Sequence, residues 1–191
     1  MKQKRDRFRG KYDIFTLYLI PAATLLLASL GSWTGSNLSE VGSLSGSRLV
    51  FSLWGMFLGS YFGLYAAHLF RMGSYRRAWG RGLVCLGVLF LLLAVAIPYV
   101  PEAHPKEAAL HVLFAFFAPI LFAAGLVCFL RFVSARDRMH FKRAWIFFWM
   151  VLGFSILMLF LAGFITTLLE VFLVFSIGAY LRYVERLLAC R

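Results

Sequence analysis

Residues 143–182 read RAWIFFWMVLGFSILMLFLAGFITTLLEVFLVFSIGAYLR, and this stretch decides the fold. Arg143 and Arg182 bracket 38 residues that hold no basic side chain and a single acid, Glu170. One helix of that length would rise about 57 Å at ~1.5 Å per residue, far beyond a hydrocarbon core of ~30 Å. Two antiparallel helices joined near Gly163 fit instead, because glycine takes the left-handed conformation such a turn needs. Strands facing lipid would alternate in polarity over about ten residues, whereas this run is continuously apolar. The stretch therefore predicts two membrane-spanning helices, about 144–162 and 165–181.

Working outward, four more apolar blocks of similar length precede it, at about 14–33, 50–70, 82–99 and 108–132. The predicted fold is all-α: a single polytopic membrane domain, 1–191, with six transmembrane helices. The first block exceeds the ~7–15 apolar residues of a signal peptide, so an uncleaved first helix is expected. The fourth is long enough to tilt. Pro21 and Pro119 fall inside helices and should kink them, which membrane helices tolerate.

Composition agrees: 62% of the chain is hydrophobic and 15% charged, against about 45–50% and about 25% in soluble domains. A net charge of +12 could suggest a nucleic-acid binder. The basic residues, however, sit in short clusters between apolar blocks, with no continuous surface to follow a phosphate backbone. Eighteen of the twenty fall on one side of the alternating topology. They lie in the amino-terminal segment (Lys2 to Lys11), the Arg71–Arg81 loop, the Arg131–Arg143 loop, and the tail (Arg182, Arg186, Arg191). Only Arg48 and Lys106 fall on the other side. The positive-inside rule places the rich side, with both termini, in the cytoplasm. The alternation holds only for an even number of spans. These clusters set topology, and they could also attract anionic lipid head groups. The expected location is a cell membrane, the bacterial cytoplasmic membrane first, and nucleic acid is not an expected partner.

Several familiar signatures are missing from the sequence. There is no nucleophile elbow, Walker loop or dinucleotide fingerprint, no H-E-x-x-H, and no facing histidines for paired haems. Cys85, Cys128 and Cys190 form no C-x-x-C pair and read as packing residues or tail. No cofactor or metal is expected. The longest outer loop, 32–47, is rich in Ser and Gly and holds the formal glycosylation tripeptide Asn37-Leu38-Ser39, which is common by chance. The five tryptophans fall mostly near predicted interfaces.

Two features could carry function. The second span has Gly55, Gly59, Gly63 and Ala67 at a spacing of four, a smooth face that admits a close helix, within the chain or from a second copy. The other feature is polar and external. Glu102, His104 and Glu107 precede the fourth span, and His111 opens it, four residues after Glu107 and on the same helical face. Glu170 lies about 8 Å below the outer edge of the sixth span, one turn after Thr166 and Thr167. An ionisable side chain at that depth is read as functional by default. Three roles compete for His111 and Glu170: a buried pair that fixes packing, a site for a metal or lipid head group, or acid–base chemistry. His68, near the cytoplasmic end of the second span, reads as interfacial.

The run Pro98-Tyr99-Val100-Pro101, then Leu110-His111 and Ala115-Phe116-Phe117, with Glu170 in the last span, resembles short six-span membrane proteins. One branch is a bacterial family of unknown function, and the other is the Frag, DRAM and Sfk-like set. The resemblance implies no catalysis and suggests a role with membrane lipids or a partner protein. The sequence thus leads to a non-enzymatic protein that binds a lipid head group, small solute or partner helix at an outer polar pocket. Its competitors are an intramembrane lipid-acting enzyme using His111 and Glu170, and a small transporter or permease subunit.

Overall fold

The chain reverses at Gly163, whose φ of +76° is left-handed and whose N–H donates to the Leu159 carbonyl at 2.9 Å. On the far side of the turn the Thr166 hydroxyl caps the next helix by accepting the Leu169 N–H. In this computed structural model the described residues are 13–43 and 46–190. The amino-terminal basic cluster Lys2–Lys11 and Arg191 lie outside them. A π-helical turn, Phe15–Leu19, leads into α1, Ile20–Ala28. There follow α2 Leu38–Ser43, α3 Arg48–Met72, α4 Ala78–Ala96, α5 Pro105–Ser134, α6 Arg138–Ala162 and α7 Thr167–Ala189.

Among the described residues the protein is all-helical, and five helices, α3 to α7, are long and apolar enough to cross a membrane. The sixth apolar helix, Phe15–Ala28, is shorter. It stops at Ala28 because the Ser29 hydroxyl turns back on the Leu26 carbonyl and the chain leaves through Gly31. Other boundaries move as well. α7 starts at Thr167 and runs on to Ala189, past Arg182, Glu185 and Arg186. Charges end an apolar run without ending a helix, since Tyr180, Leu181 and Val184 continue its buried face. Pro21 sits where the π-turn passes into α1, and Pro119 lies within α5.

Adjacent helices pair in chain order from α3 to α7, and α7 closes on α3; α1 lies against both α3 and α7. Between helices in lipid there is little hydrophobic gain, so close backbone approach decides which pairs lock. The glycine face of α3 meets α4: Gly55 faces Val95, Gly59 faces Leu91 and Gly63 faces Val88, while Ala67 is exposed. The tightest approach is between α4 and α5. A Cβ on Gly87 would lie 2.8 Å from the Phe122 amide nitrogen, and one on Gly125 would lie 2.8 Å from the Gly80 carbonyl oxygen.

The main core sits toward the basic end, around Tyr65, Leu69, Phe129, Val133, Phe141 and Leu181. A smaller core of Leu27, Leu38, Phe51, Val95 and Val171 lies under α2 at the opposite end. α6 joins only the first: its buried residues are Phe141, Ala144 and Phe148. Its second half exposes Phe154, Ile156, Phe160 and Leu161.

Candidate functional site

The loop read as Ser/Gly-rich contains α2, and α2 organises the polar residues at the end of the bundle opposite the basic one. Asn37 and Glu40 form a reciprocal cap. The Asn37 side-chain oxygen accepts the Glu40 N–H at 2.9 Å, and the Glu40 carboxylate accepts the Asn37 N–H at 3.3 Å. The amide side chain of the formal glycosylation site is thus engaged in capping a helix. The next backbone donor, Leu38 N–H, points at Glu170, whose Oε2 accepts it at 2.6 Å. A carboxylate there also suits the positive end of the helix dipole.

The contact is returned at the head of α7. Thr167 and Leu168 have no intrahelical acceptors, as for any first turn. Their N–H groups donate to the Ser36 and Trp33 carbonyls at 2.8 and 2.9 Å, and the Thr167 hydroxyl also donates to Ser36 at 2.9 Å. Each element therefore caps the other. Thr166 and Thr167 are both buried.

His111 reaches α2 from the other side. Its Nδ1 lies 2.8 Å from the Ala94 carbonyl and 3.0 Å from that of Ile97, and its Nε2 lies 2.9 Å from the Ser39 hydroxyl. Nδ1 faces only acceptors, so the network puts the hydrogen there. In the neutral ring Nε2 then accepts from Ser39. Tyr99 packs on the imidazole with ring centres 5.4 Å apart. Arg48 completes the arrangement: its guanidinium donates to the Val95 and Ala96 carbonyls, both at 2.9 Å. The open end of α4 is thus covered by two side chains, one from α3 and one from α5, with the Arg48 cation at the negative pole of the helix.

His111 and Glu170 share α2 without touching each other, since their partners, Ser39 and Leu38, are consecutive residues of that helix. Glu107 turns elsewhere, 3.9 Å from His104, with both side chains largely exposed. Glu102 is exposed in the turn before α5. These three form a rim, while His111, Glu170 and the two threonines lie in the floor beneath. Among the described residues no three His, Cys, Asp or Glu side chains gather closely enough to hold a metal ion.

A second polar cluster, at the basic end, is not foreseen by the sequence reading. The hydroxyl of Tyr65, fully buried on α3, donates to Glu185 Oε2 of α7 at 2.5 Å. His68 Nε2 stands 3.4 Å from the other oxygen of that carboxylate. His68, near the basic end of α3, is therefore buried against α7. Close by, Arg182 pairs with Asp13 at 2.7 Å, and Thr16 hydrogen-bonds to Tyr61. The spacing of Tyr61, Tyr65 and His68 on one face of α3 was the available signal.

No family model matches the chain, and no curated protein or solved structure matches it.

Proposed function

We propose that the protein is a six-span, non-enzymatic membrane protein with its basic end and both termini in the cytoplasm. Its outer end would bind a lipid head group, a small solute or a partner helix. The reading of Phe15–Ala28 as the sixth span is supported by its course along α7. It runs from Asp13, paired with Arg182 late in α7, to Ala28, which packs with Val171 near the start of α7.

The observation that carries the non-enzymatic reading is the engagement of His111 and Glu170. Both imidazole nitrogens are occupied, and one oxygen of the carboxylate holds a backbone N–H. Acid–base or metal chemistry would require His111 to release Ser39 and Glu170 to release Leu38, opening the floor it would work on. Contact with an outer partner falls instead to the exposed rim of Glu102, His104 and Glu107.

The test is complementation of a deletion strain. Glu170→Gln keeps an oxygen for the Leu38 N–H but cannot cycle a proton at neutral pH. It should restore whatever the wild type restores, and Glu102→Ala with His104→Ala should not. Loss of function in a folded, fully expressed Glu170→Gln protein would mean that the carboxyl group itself acts and would end the proposal.

A further inference from the structure

On α6, Arg143, Ile146, Phe147 and Met150 recur at the spacing of one helical face. With Tyr183 of α7 they line an open groove of about 300 Å³. The neighbouring face of α6, Phe141, Ala144 and Phe148, is the one buried in the core. Ile146 and Met150 remain 50% and 67% exposed. Phe147 forms the floor, its ring 5.9 Å from Tyr183 and 5.5 Å from Tyr180. The groove starts at Arg143, near the basic end of α6, and runs two turns, about 10 Å, toward the middle of the helix.

We infer that this groove is a binding site for one anionic phospholipid, with its phosphate on Arg143 and one acyl chain along Ile146 and Met150. Three observations favour that occupant. First, the lining carries a single charge, a cation, at one end of an otherwise apolar wall. Second, the acids at this end among the described residues are engaged elsewhere: Asp13 with Arg182, Asp137 with the His140 N–H, and Glu185 with Tyr65 and His68. Lys142 and Arg186 are exposed nearby, so the local field is positive. Third, the lining is made of Ile, Phe, Met and Tyr, with no small residue to let another helix backbone approach. A volume at the lower end of small-ligand sites holds part of one chain and leaves the rest of the lipid in the bilayer. Arg143 is long enough to keep its guanidinium at head-group level while its stem lies on the apolar wall. The inference goes beyond the proposed outer-end role, and only its placement in the cytoplasmic leaflet rests on the proposed orientation.

The experiment is native mass spectrometry of the purified full chain in non-ionic micelles. Phosphatidylglycerol and phosphatidylcholine of identical acyl chains are added in turn. One phosphatidylglycerol should be retained in preference to phosphatidylcholine. Arg143→Gln should weaken retention about fivefold, as loss of one cation near an anionic lipid surface implies. Lys142→Gln removes the same charge one residue away, outside the groove, and should change retention by less than twofold. Met150→Trp should weaken retention by filling the groove. The substituted side chains are exposed, and thermal unfolding verifies that the variants fold. Equal retention of the two lipids would make the contact ordinary annular lipid and overturn the site. Equal losses in Arg143→Gln and Lys142→Gln would reduce it to diffuse attraction. Unchanged binding by Met150→Trp would remove the groove from the account. Micelles carry no sidedness, so these outcomes are independent of the topology and of the outer-end role.

Discussion

The imidazole of His111 and the carboxylate of Glu170, carried by α5 and α7, grip consecutive residues of α2. Ser39 goes to the histidine and the Leu38 N–H to the glutamate. These two ionisable groups, at the end of the bundle opposite the basic one, are thus coupled through a six-residue helix and not through a bond to each other. Pulling either away frees one side of α2.

His111→Ala would leave the Ser39 hydroxyl and the Ala94 and Ile97 carbonyls without their side-chain partner. A buried polar group stripped of its hydrogen bond costs about 1–3 kcal/mol, and a loss of that size is expected. Glu170→Ala should cost a comparable amount and Glu170→Gln less than half of it. A cysteine at Val41, which is 2% exposed, reads the event directly. It should resist a thiol reagent in the parent and react when His111→Ala or Glu170→Ala is added. Unaltered protection in both variants would mean that α2 is held by its apolar contacts alone.

The glycines separate into two groups. Gly87→Ala pushes a methyl group against the backbone of α5, so α4 and α5 must part. A destabilisation of about 1–3 kcal/mol is expected for such overpacking. Gly82 and Gly153 face open space, so alanine there should be neutral or should stabilise by about 0.5–1 kcal/mol through helix propensity. Thermal midpoints in one detergent give the comparison. Equal midpoints for Gly87→Ala and Gly82→Ala would contradict the close α4–α5 contact.

Tyr65 and Glu185 form a buried hydrogen bond between α3 and α7. A double-mutant cycle of Tyr65→Phe and Glu185→Ala should return a coupling of about 1 kcal/mol, between the average of roughly 0.6 and the maximum of roughly 1.7 measured between membrane helices. Additive effects would show that the pair merely coexists. The cycle is needed because either single change also disturbs the contact of Glu185 with His68.

Topology has a separate check. A cysteine at Ser74, in the turn between α3 and α4, should react with an impermeant reagent only after cells are opened. One at Glu102 should react in intact cells. The reverse pattern would invert the proposed orientation.

What the sequence makes legible follows from range. The presence of two helices and the Gly163 turn are local properties, legible within the Arg143–Arg182 stretch, whereas the far ends of both helices, at Arg138 and Ala189, lie beyond it. The glycine face of α3 announced close packing but not its partner, because nothing in residues 55–63 names Val88, Leu91 or Val95. Likewise Gly87 and Gly125 belong to no glycine stripe at a spacing of four, and only the folded hairpin sets them against facing backbone. α2 was missed because the Asn37-x-x-Glu40 cap lies in a Ser/Gly-rich loop and coincides with a glycosylation tripeptide. Glu185 was missed because the apolar run stops at Leu181 while the helix does not. His111 and Glu170 stand out in the sequence as ionisable groups beside or within spans, but their partners lie 72 and 132 residues away.

The docking of α2 also bears on how the protein is made. Its seat needs His111 from α5, and then Thr167, Leu168 and Glu170 at the head of α7, which is synthesised long after α2. During chain elongation, which runs from the amino terminus, α2 waits without its final partners until the closing hairpin enters the bilayer. Its docking therefore reports that the α6–α7 hairpin is in place. A chain whose α6–α7 hairpin fails to insert leaves the 33–43 segment loose and open to proteolysis.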